Sequence, residues 1–390
     1  MAFDKMIVKK LLKKFDDVPF VVKFPDGEEF KVGEGEPQAI IRANGGIDMG
    51  AVMKSPSLAL GEAYMDKTLE LEKGDLFEIL NMVLAKLEDF ASDFSGLTKI
   101  MKTSTSKKNQ KQEIATHYDI GNEFFELWLD ETMSYSCGYF KHETDTLYDA
   151  QVNKVEHILK KLNLKEGQTL LDIGCGWGYL LIAAAKKYHV KGVGITLSEE
   201  QYKKGQERIK AEGLEGQVEI RLMDYRDLEK SGMTFDRIVS VGMLEHVSRD
   251  NYPLFFKNID KVLNKKGIVL LHYISGRQEH DGDPWIKKYI FPGGIIPSLR
   301  EIIYLIGEYN YYTLDVESLR RHYEKTLLEW SKNYAAKRDV IDTMFEERFV
   351  RMWELYLVSC ASVFHNGICD IHQILFTKGV DNDLPMTRNY

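Results

Sequence analysis

Residues 169–201, TLLDIGCGWGYLLIAAAKKYHVKGVGITLSEEQ, restrict the fold of this chain more than any other stretch. The apolar run Thr169 to Ile173 reads as a strand, and Gly174, Gly176 and Gly178 turn the chain directly after it. Helical periodicity runs from Tyr179 to about Tyr188, and a second strand, Val190 to Ile195, ends in Thr196-Leu197-Ser198. This is one βαβ unit of a doubly wound α/β sheet, whose ligand site lies at the first strand-to-helix turn. Lacking a Cβ, the glycines let backbone N–H groups approach a ligand closely.

The glycine spacing separates two ligand classes. A dinucleotide site has G-x-G-x-x-G, which seats a pyrophosphate on the helix N-terminus. Here the spacing is G-x-G-x-G, with Asp172 two residues before the first glycine. A carboxylate there repels pyrophosphate and suits a cationic ligand. Glycines in α/β turns often serve packing alone, so the signal is the combination of strand, D-x-G-x-G-x-G and helix. That combination resembles motif I of the S-adenosylmethionine (SAM)-dependent methyltransferases and implies SAM rather than NAD.

At 390 residues the chain exceeds one small core, and two domains are expected. A net charge of −8 disfavours bulk nucleic-acid binding, so no nucleic-acid partner is expected. No signal-peptide pattern opens the sequence, and no run approaches the roughly 20 apolar residues of a membrane span. Cys137, Cys175, Cys360 and Cys369 form no C-x-x-C pair, which fits a reducing cytoplasm without a disulfide framework or a metal site.

Along residues 1–15, Phe3, Met6, Ile7, Leu11 and Phe15 form one helical stripe, with Lys5, Lys9, Lys10, Lys13 and Lys14 mostly on the other faces. Such a helix either lies on an anionic membrane surface or docks on its own domain, and the residues alone favour docking. Residues 18–32 alternate like a hairpin around Pro25-Asp26-Gly27. A short apolar segment follows at Ala39–Ile41, then helices around Ser57–Tyr64 and Asp75–Leu87. Residues 1–95 therefore read as a small α+β domain without a recognisable catalytic constellation. Residues 96–112 have linker composition, and five lysines between Lys99 and Lys111 suit a solvated tether or contact with anionic lipid.

Residues 113–390 read as the catalytic domain. His117-Tyr118-Asp119, Asn122, Phe124-Phe125 and the segment Met133–Phe140 precede the glycine turn. The last of these has no clean helix period and reads as a ligand-approaching loop or as aromatic packing around a buried cysteine. Further strands are expected at Val218–Leu222, Phe235–Val241, Gly267–Tyr273, Tyr311–Val316 and Asp370–Thr377. Glu245 and His272 then fall at the carboxyl edges of neighbouring strands, where α/β sheets place their chemistry. Residues 280–297, broken by prolines and glycines, read as a lid. Helices are expected near 318–332 and 342–364, the second with a core stripe from Phe345 to Phe364.

These pieces resemble the cyclopropane-fatty-acyl-phospholipid synthases, and more distantly the mycolic acid cyclopropane synthases. The resemblance rests on HYDIGNEFF (117–125), YSCGYF (135–140), LDIGCGWG (171–178), GVGITLSEEQ (192–201), DYRDL (224–228), FDRIVSVGMLEHV (235–247), LLHYI (270–274), DPWIKKYIFPGG (283–294) and HYEKTLLEW (322–330). It implies a Rossmann-like class I SAM-dependent methyltransferase domain with a small N-terminal α+β domain that associates with lipid. Most methyltransferases end the second strand in an acidic residue that accepts from the ribose hydroxyls. The Thr196-Leu197-Ser198 found here is a departure that the synthases share.

By this resemblance Tyr135, Ser136, Gly174, Gly176, Thr196, Leu197, Ser198, Gln201, Asp224 and Tyr225 bind SAM, with Asp224 toward the adenine amino group. A bicarbonate ion acts as base, held by Cys137, Glu245, His272, Ile274 and Tyr323, with the backbone acting at Cys137 and Ile274. The implied reaction adds a methylene from SAM across a cis double bond of an unsaturated phospholipid acyl chain. A homodimer working at the inner face of the cell membrane is expected. The alternatives are a SAM methyltransferase that leaves a branched acyl chain or methylates a lipid amine, and a non-catalytic lipid-binding protein.

Overall fold

The computed structural model describes residues 2–86, 120–388 and 390. The expected linker and His117-Tyr118-Asp119 lie outside the described residues. Packing divides the chain into two compact units. One comprises Met1–Ile100, Asp283–Ile290 and Trp330–Gly367; the other comprises Met101–Gly282, Phe291–Glu329 and Ile368–Tyr390.

The first unit is built on a four-stranded sheet of β1 (Phe20–Lys23), β2 (Glu29–Val32), β3 (Ala39–Ala43) and β4 (Leu69–Lys73), in the order β2-β1-β3-β4. The expected hairpin is β1–β2, with Phe20 opposite Val32. β3 pairs parallel to β1 on its other side. The helix Ala2–Leu12 docks on this hairpin. Lys5 reaches Asp26 and Glu28 at 2.5 Å each, and Lys9 also pairs with Glu28. Both lysines lie over the Phe24 ring, at 4.7 and 5.7 Å. Residues 5, 9 and 12 share one helical face, so Leu12 follows the lysine stems inward, to pack with Phe15 against Phe20, Val22 and Val32. Met6, expected in the buried stripe, is 62% exposed because the hairpin takes the neighbouring face.

Helical residues Pro284–Tyr289 from the expected lid belong to this unit. There Trp285 Nε1 donates to Met65 Sδ at 3.2 Å, and Lys288 and Tyr289 both reach Glu62. The expected helix 342–364 is two helices, Arg338–Met344 and Glu347–His365. Met352, Trp353, Tyr356 and Phe364 of its apolar stripe are buried.

The second unit carries a seven-stranded sheet in the order β10-β11-β9-β8-β5-β6-β7. Its strands are β5 (Thr169–Ile173), β6 (Lys191–Thr196), β7 (Val218–Leu222), β8 (Phe235–Val241), β9 (Leu263–Gly276), β10 (Tyr311–Ser318) and β11 (Cys369–Lys378). β5 to β9 run parallel; β11 runs antiparallel beside β9, and β10, antiparallel to β11, again follows the direction of β5 to β9. Leu171, Ile173 and Ile238 enter the core on one face; Leu170 and Val239 enter the core on the other. Both faces are covered, which is why these strands read as continuous apolar runs. Winding proceeds from β5 through β6 to β7, then restarts with β8 on the other side of β5. The turns after β5 and β8 therefore flank a topological switch point.

The turn after β5 has φ of +82°, +53° and +83° at Gly174, Gly176 and Gly178, a region that disfavours side chains. Gly194 on β6 packs beneath it, and a Cβ there would stand 2.6 Å from Cys175 Sγ and 2.8 Å from Leu181 Cδ1. Gly194→Ala should therefore destabilise this unit by about 1–3 kcal/mol. Chemical denaturation with a wild-type midpoint would show that the turn and the helix behind it yield freely.

Candidate active site

A pocket opens at the switch point, at the carboxyl ends of β5, β6 and β8. Its floor is Asp172 to Trp177, with Thr196, Leu197 and Gln201 on one side and Gly242, Met243 and His246 on the other. Residues 132–136, Lys154, Tyr179, Met223 and Tyr225 complete the wall. Tyr135, Ser136, Gly174, Gly176, Thr196, Leu197, Gln201 and Tyr225 thus stand together, as the sequence motifs place them.

Ser198 and Asp224 stand outside the wall. Ser198 caps the helix Glu199–Ala211, its Oγ accepting from the Gln201 N–H at 3.2 Å. Its own N–H donates to Thr196 Oγ1, which in turn donates to Gln201 Oε1 at 2.9 Å. Thr196, Ser198 and Gln201 are one hydrogen-bonded knot, so Ser198 shapes the wall without lining it. Asp224 turns both oxygens to Arg226: Oδ1 accepts from its N–H and Nε at 2.9 Å, and Oδ2 pairs with Nη2 at 2.5 Å.

A second polar group lies where β8 ends beside β9; His272, expected at a strand end, lies within β9 opposite Val241, because β9 runs on to Gly276. The Gly242 N–H donates to the His272 carbonyl at 2.8 Å, which ties the β8 turn to β9. His272 is 1% exposed, and its Nδ1 sits 3.3 Å from Gln373 Nε2 on β11. The amide donates, so the ring proton is assigned to Nε2, which has no partner among the described residues. Burial pushes this imidazole well below the usual histidine range, so it is a neutral N–H donor. Glu245 Oε1 accepts the Ile274 N–H at 2.7 Å, while its buried Oε2 is unpartnered among the described residues. Burial raises the Glu245 carboxyl to about 7.

Cys137 is fully buried, with Sγ donating to the Gly138 carbonyl at 3.2 Å and 3.9 Å from the Leu319 carbonyl. Burial pushes its thiol far above the usual range, so it is no nucleophile. The next residue, Gly138, donates its N–H to Thr326 Oγ1 at 3.0 Å. The Cys137 loop is thereby stitched to the helix Arg320–Ala336, on which Tyr323 lies one turn before Thr326.

The family model described as mycolic acid cyclopropane synthetase matches residues 105–374. The chain belongs to this family. A model described as a domain of unknown function matches residues 7–95. The cyclopropane-fatty-acyl-phospholipid synthase of Escherichia coli K12 is 40% identical over 360 residues, covering 91% of this chain and 92% of that protein. A probable fatty acid methyltransferase of Pseudomonas putida is 39% identical over 381 residues, 95% of each chain. Mycolic acid cyclopropane synthase CmaA1, solved with SAH and CTAB, superposes with a TM-score of 0.65 at 33% identity, covering 69% of this chain and 98% of that one.

This cyclopropane synthase family member is accordingly an enzyme of the SAM-dependent methyltransferase class, with SAM as methyl donor. Its pocket fits that ligand on its own terms. Asp172 lines the pocket, is 3% exposed, and its Oδ1 has no hydrogen-bond partner among the described residues. That is an anionic acceptor suited to a cation. Lys154 and Gln373 were not singled out from the sequence. Lys154 carried a readable signal, because with Gln151, Val155 and Ile158 it falls on the buried face of the helix Leu147–Lys161. A polar residue on an apolar stripe marks either a satisfied core group or a site. Gln373 carried none, because only the pairing of β11 with β9 sets it opposite His272.

The Glu245 carboxyl stands at about 7 in the folded protein against an ordinary 4.5. Its contribution to stability is therefore full below about 4.5 and is lost as pH rises through about 7. Glu245→Gln cannot ionise, so it should stabilise the enzyme mainly above pH 7, by up to about 3 kcal/mol, and little at about pH 4.5. Thermal unfolding of both proteins across that range reads this difference; an equal shift throughout would mean that Glu245 does not titrate there.

Proposed function

We propose that this enzyme transfers a methylene from SAM to the cis double bond of an unsaturated phospholipid acyl chain and closes a cyclopropane ring, with bicarbonate as general base. One observation carries the reading. A buried acceptor, Glu245 Oε2, past the end of β8, and a buried donor, His272 Nε2, on β9 opposite the last residue of β8, are both unpaired among the described residues. Leaving such atoms unpaired is unfavourable, so the pair suits a small oxyanion that also carries a hydroxyl. SAM supplies an electrophilic methyl, and bicarbonate supplies a base that is not a side chain the methyl donor can alkylate.

The protein's own part is positioning. An alkene has no proton to lose before attack, so the walls need only hold it in line with the methyl. The His272 N–H, the Tyr323 O–H and the Cys137 backbone would hold the oxyanion. Glu245 Oε2 would accept its hydroxyl hydrogen and so turn the other oxygens toward the substrate. The Ile274 N–H is spent on Glu245 Oε1, so Ile274 acts by aiming that carboxylate. The phospholipid substrate is supported by the name of the Escherichia coli relative. The Pseudomonas putida relative supports a second reading, in which methyl transfer ends in a branched acyl chain.

No described helix is long and apolar enough to cross a membrane. The proposed approach is peripheral, at the inner face of the cell membrane, by a homodimer whose residues 1–95 form the lipid-associating domain. Lys5 and Lys9 are engaged on their own hairpin, whereas Lys10, Lys13 and Lys14 are exposed. These three are the lysines proposed to meet anionic headgroups.

Incubation with SAM and liposomes of cis-monounsaturated phospholipid should add one CH₂ per reacting chain, with loss of the olefinic proton signals. A retained vinyl signal with the same mass gain would replace ring closure by simple methylation. Glu245→Ala should lower turnover at least about a hundredfold, as loss of general-base function does; full turnover would remove Glu245 from the mechanism, and an unchanged rate after bicarbonate depletion would remove the ion. Reversing Lys10, Lys13 and Lys14 to Glu should weaken sedimentation with anionic vesicles by roughly a hundredfold or more, at about 1 kcal/mol per lysine, while SAM binding is kept. Unchanged sedimentation would move the membrane face elsewhere.

A further inference from the structure

Lys154 is a buried ammonium with no part in the proposed chemistry. It is 4% exposed, lines the SAM pocket, and donates from Nζ to Ser136 Oγ at 2.9 Å. Its position on the helix Leu147–Lys161 is one that Leu or Met would fill at no electrostatic cost. A buried charge is unfavourable unless an opposite one faces it. Two buried carboxylates attract it, Asp130 most strongly and then Asp172. Asp130 lies outside the pocket wall, its oxygens accepting from the Thr132 N–H at 2.9 Å and Oγ1 at 3.0 Å. Asp172 lines the same pocket as Lys154, with Oδ1 unpaired among the described residues, and Lys154 is the cation that acts on it.

We infer that Lys154 is a positioning residue that acts through its charge: the ammonium keeps Asp172 ionised in an apolar wall, so that an anionic acceptor stands ready for the cationic part of SAM. The inference rests on SAM being the bound cosubstrate. It assigns to Lys154 the pH below which the pocket loses its hold on SAM. Burial raises the Asp172 carboxyl to about 7, with the Lys154 charge pulling it down. Burial lowers Lys154 to about 8, with Asp130, Cys137 and Asp172 pulling it up. The other titratable groups around the pair are Cys137 on the loop, Cys175 on the glycine turn, Tyr179, Tyr225 and His246 in the pocket wall, and His272 within β9. Burial holds the thiols and phenols protonated and both imidazoles neutral, so none of these brings a charge. Without Lys154, Asp172 would face burial alone, would take up its proton at higher pH, and would present a neutral carboxyl to a cation.

The test is calorimetric titration of the full-length protein with SAM, without lipid, across about pH 6 to 9.5. Wild-type affinity should rise through about pH 7 as Asp172 ionises. In Lys154→Met the midpoint of that rise should move up by at least about one unit, so that binding is roughly tenfold weaker at neutral pH and recovers at the alkaline end. Lys154→Arg keeps the charge and should keep the wild-type midpoint. A uniform loss of affinity at every pH in Lys154→Met, or an unmoved midpoint, would overturn the inference and leave Lys154 a packing residue.

If Lys154→Met does not fold, the infrared carboxyl band of the wild type, assigned against Asp172→Asn, answers the same question. Asp172 should be ionised in the SAM complex at about pH 6, and a protonated band there would overturn the assignment. Failure of the wild type to bind SAM at any pH would remove the cosubstrate reading itself, whereas normal wild-type binding with an unmoved midpoint removes the role of Lys154 alone.

Discussion

The site exists because winding reverses between β5 and β8. At that reversal two crossover connections leave the sheet in opposite directions, and neither covers the strand ends between them. The chain turns at Gly174–Gly178 and again at Gly242, where glycines at positive φ bring bare backbone to the pocket. Everything placed at the pocket is measured from those two turns. Thr196 and Gln201 come from the next strand and helix, and His272 from the strand beyond β8. The Cys137 loop packs against a helix that follows the sheet's last crossover.

Burial then acts on every titratable group in the same sense, toward the neutral form. Asp172 and Glu245 are raised, while Lys154, His246 and His272 are lowered. A cationic cosubstrate and the proposed oxyanion would both be poorly served by a merely apolar pocket. The arrangement meets this by pairing. Lys154 shares the pocket wall with Asp172, Ile274 donates to Glu245, and Gln373 is paired with His272 Nδ1. Each partner bears on which charge or proton the site presents.

Behind the Cys137 loop lies a second buried network. The Tyr139 ring stacks between His157 at 4.2 Å and His322 at 4.7 Å, and the Phe140 N–H donates to His322 Nδ1 at 3.1 Å. His157 and Lys161 both reach Glu317, whose carboxyl they hold down at about 2 against the effect of burial. Loop, helix and edge strand are thereby held together, which gives the Cys137 backbone and Tyr323 a fixed relation. Such a framework is what a site needs when its chemistry depends on placement rather than on a reactive side chain.

Much of this was legible in the residues themselves. Local signals placed β5, β7, β8 and the helix Tyr179–Tyr188 to the residue, because apolar alternation and a glycine turn depend on neighbours a few positions apart. The same signals put Glu245 just past a strand end and Asp172 before the turn, whereas His272, expected at a strand end, lies within β9. Tertiary pairing decided the rest. β9 extends from Leu263 to Gly276, beyond its apolar run, because β11 pairs with it from Thr377 to Cys369. Trp285 packs with Met65 and leaves the expected lid, Met6 faces outward because a hairpin covers the neighbouring face, and Gln373 meets His272 across two strands. Lys154 stands between these cases: its place on an apolar stripe is in the sequence, but its opposite charge is not. Periodicity records which face of an element is buried; what it is buried against is set by contacts remote along the chain, and that is where the pairing of charges at this site was determined.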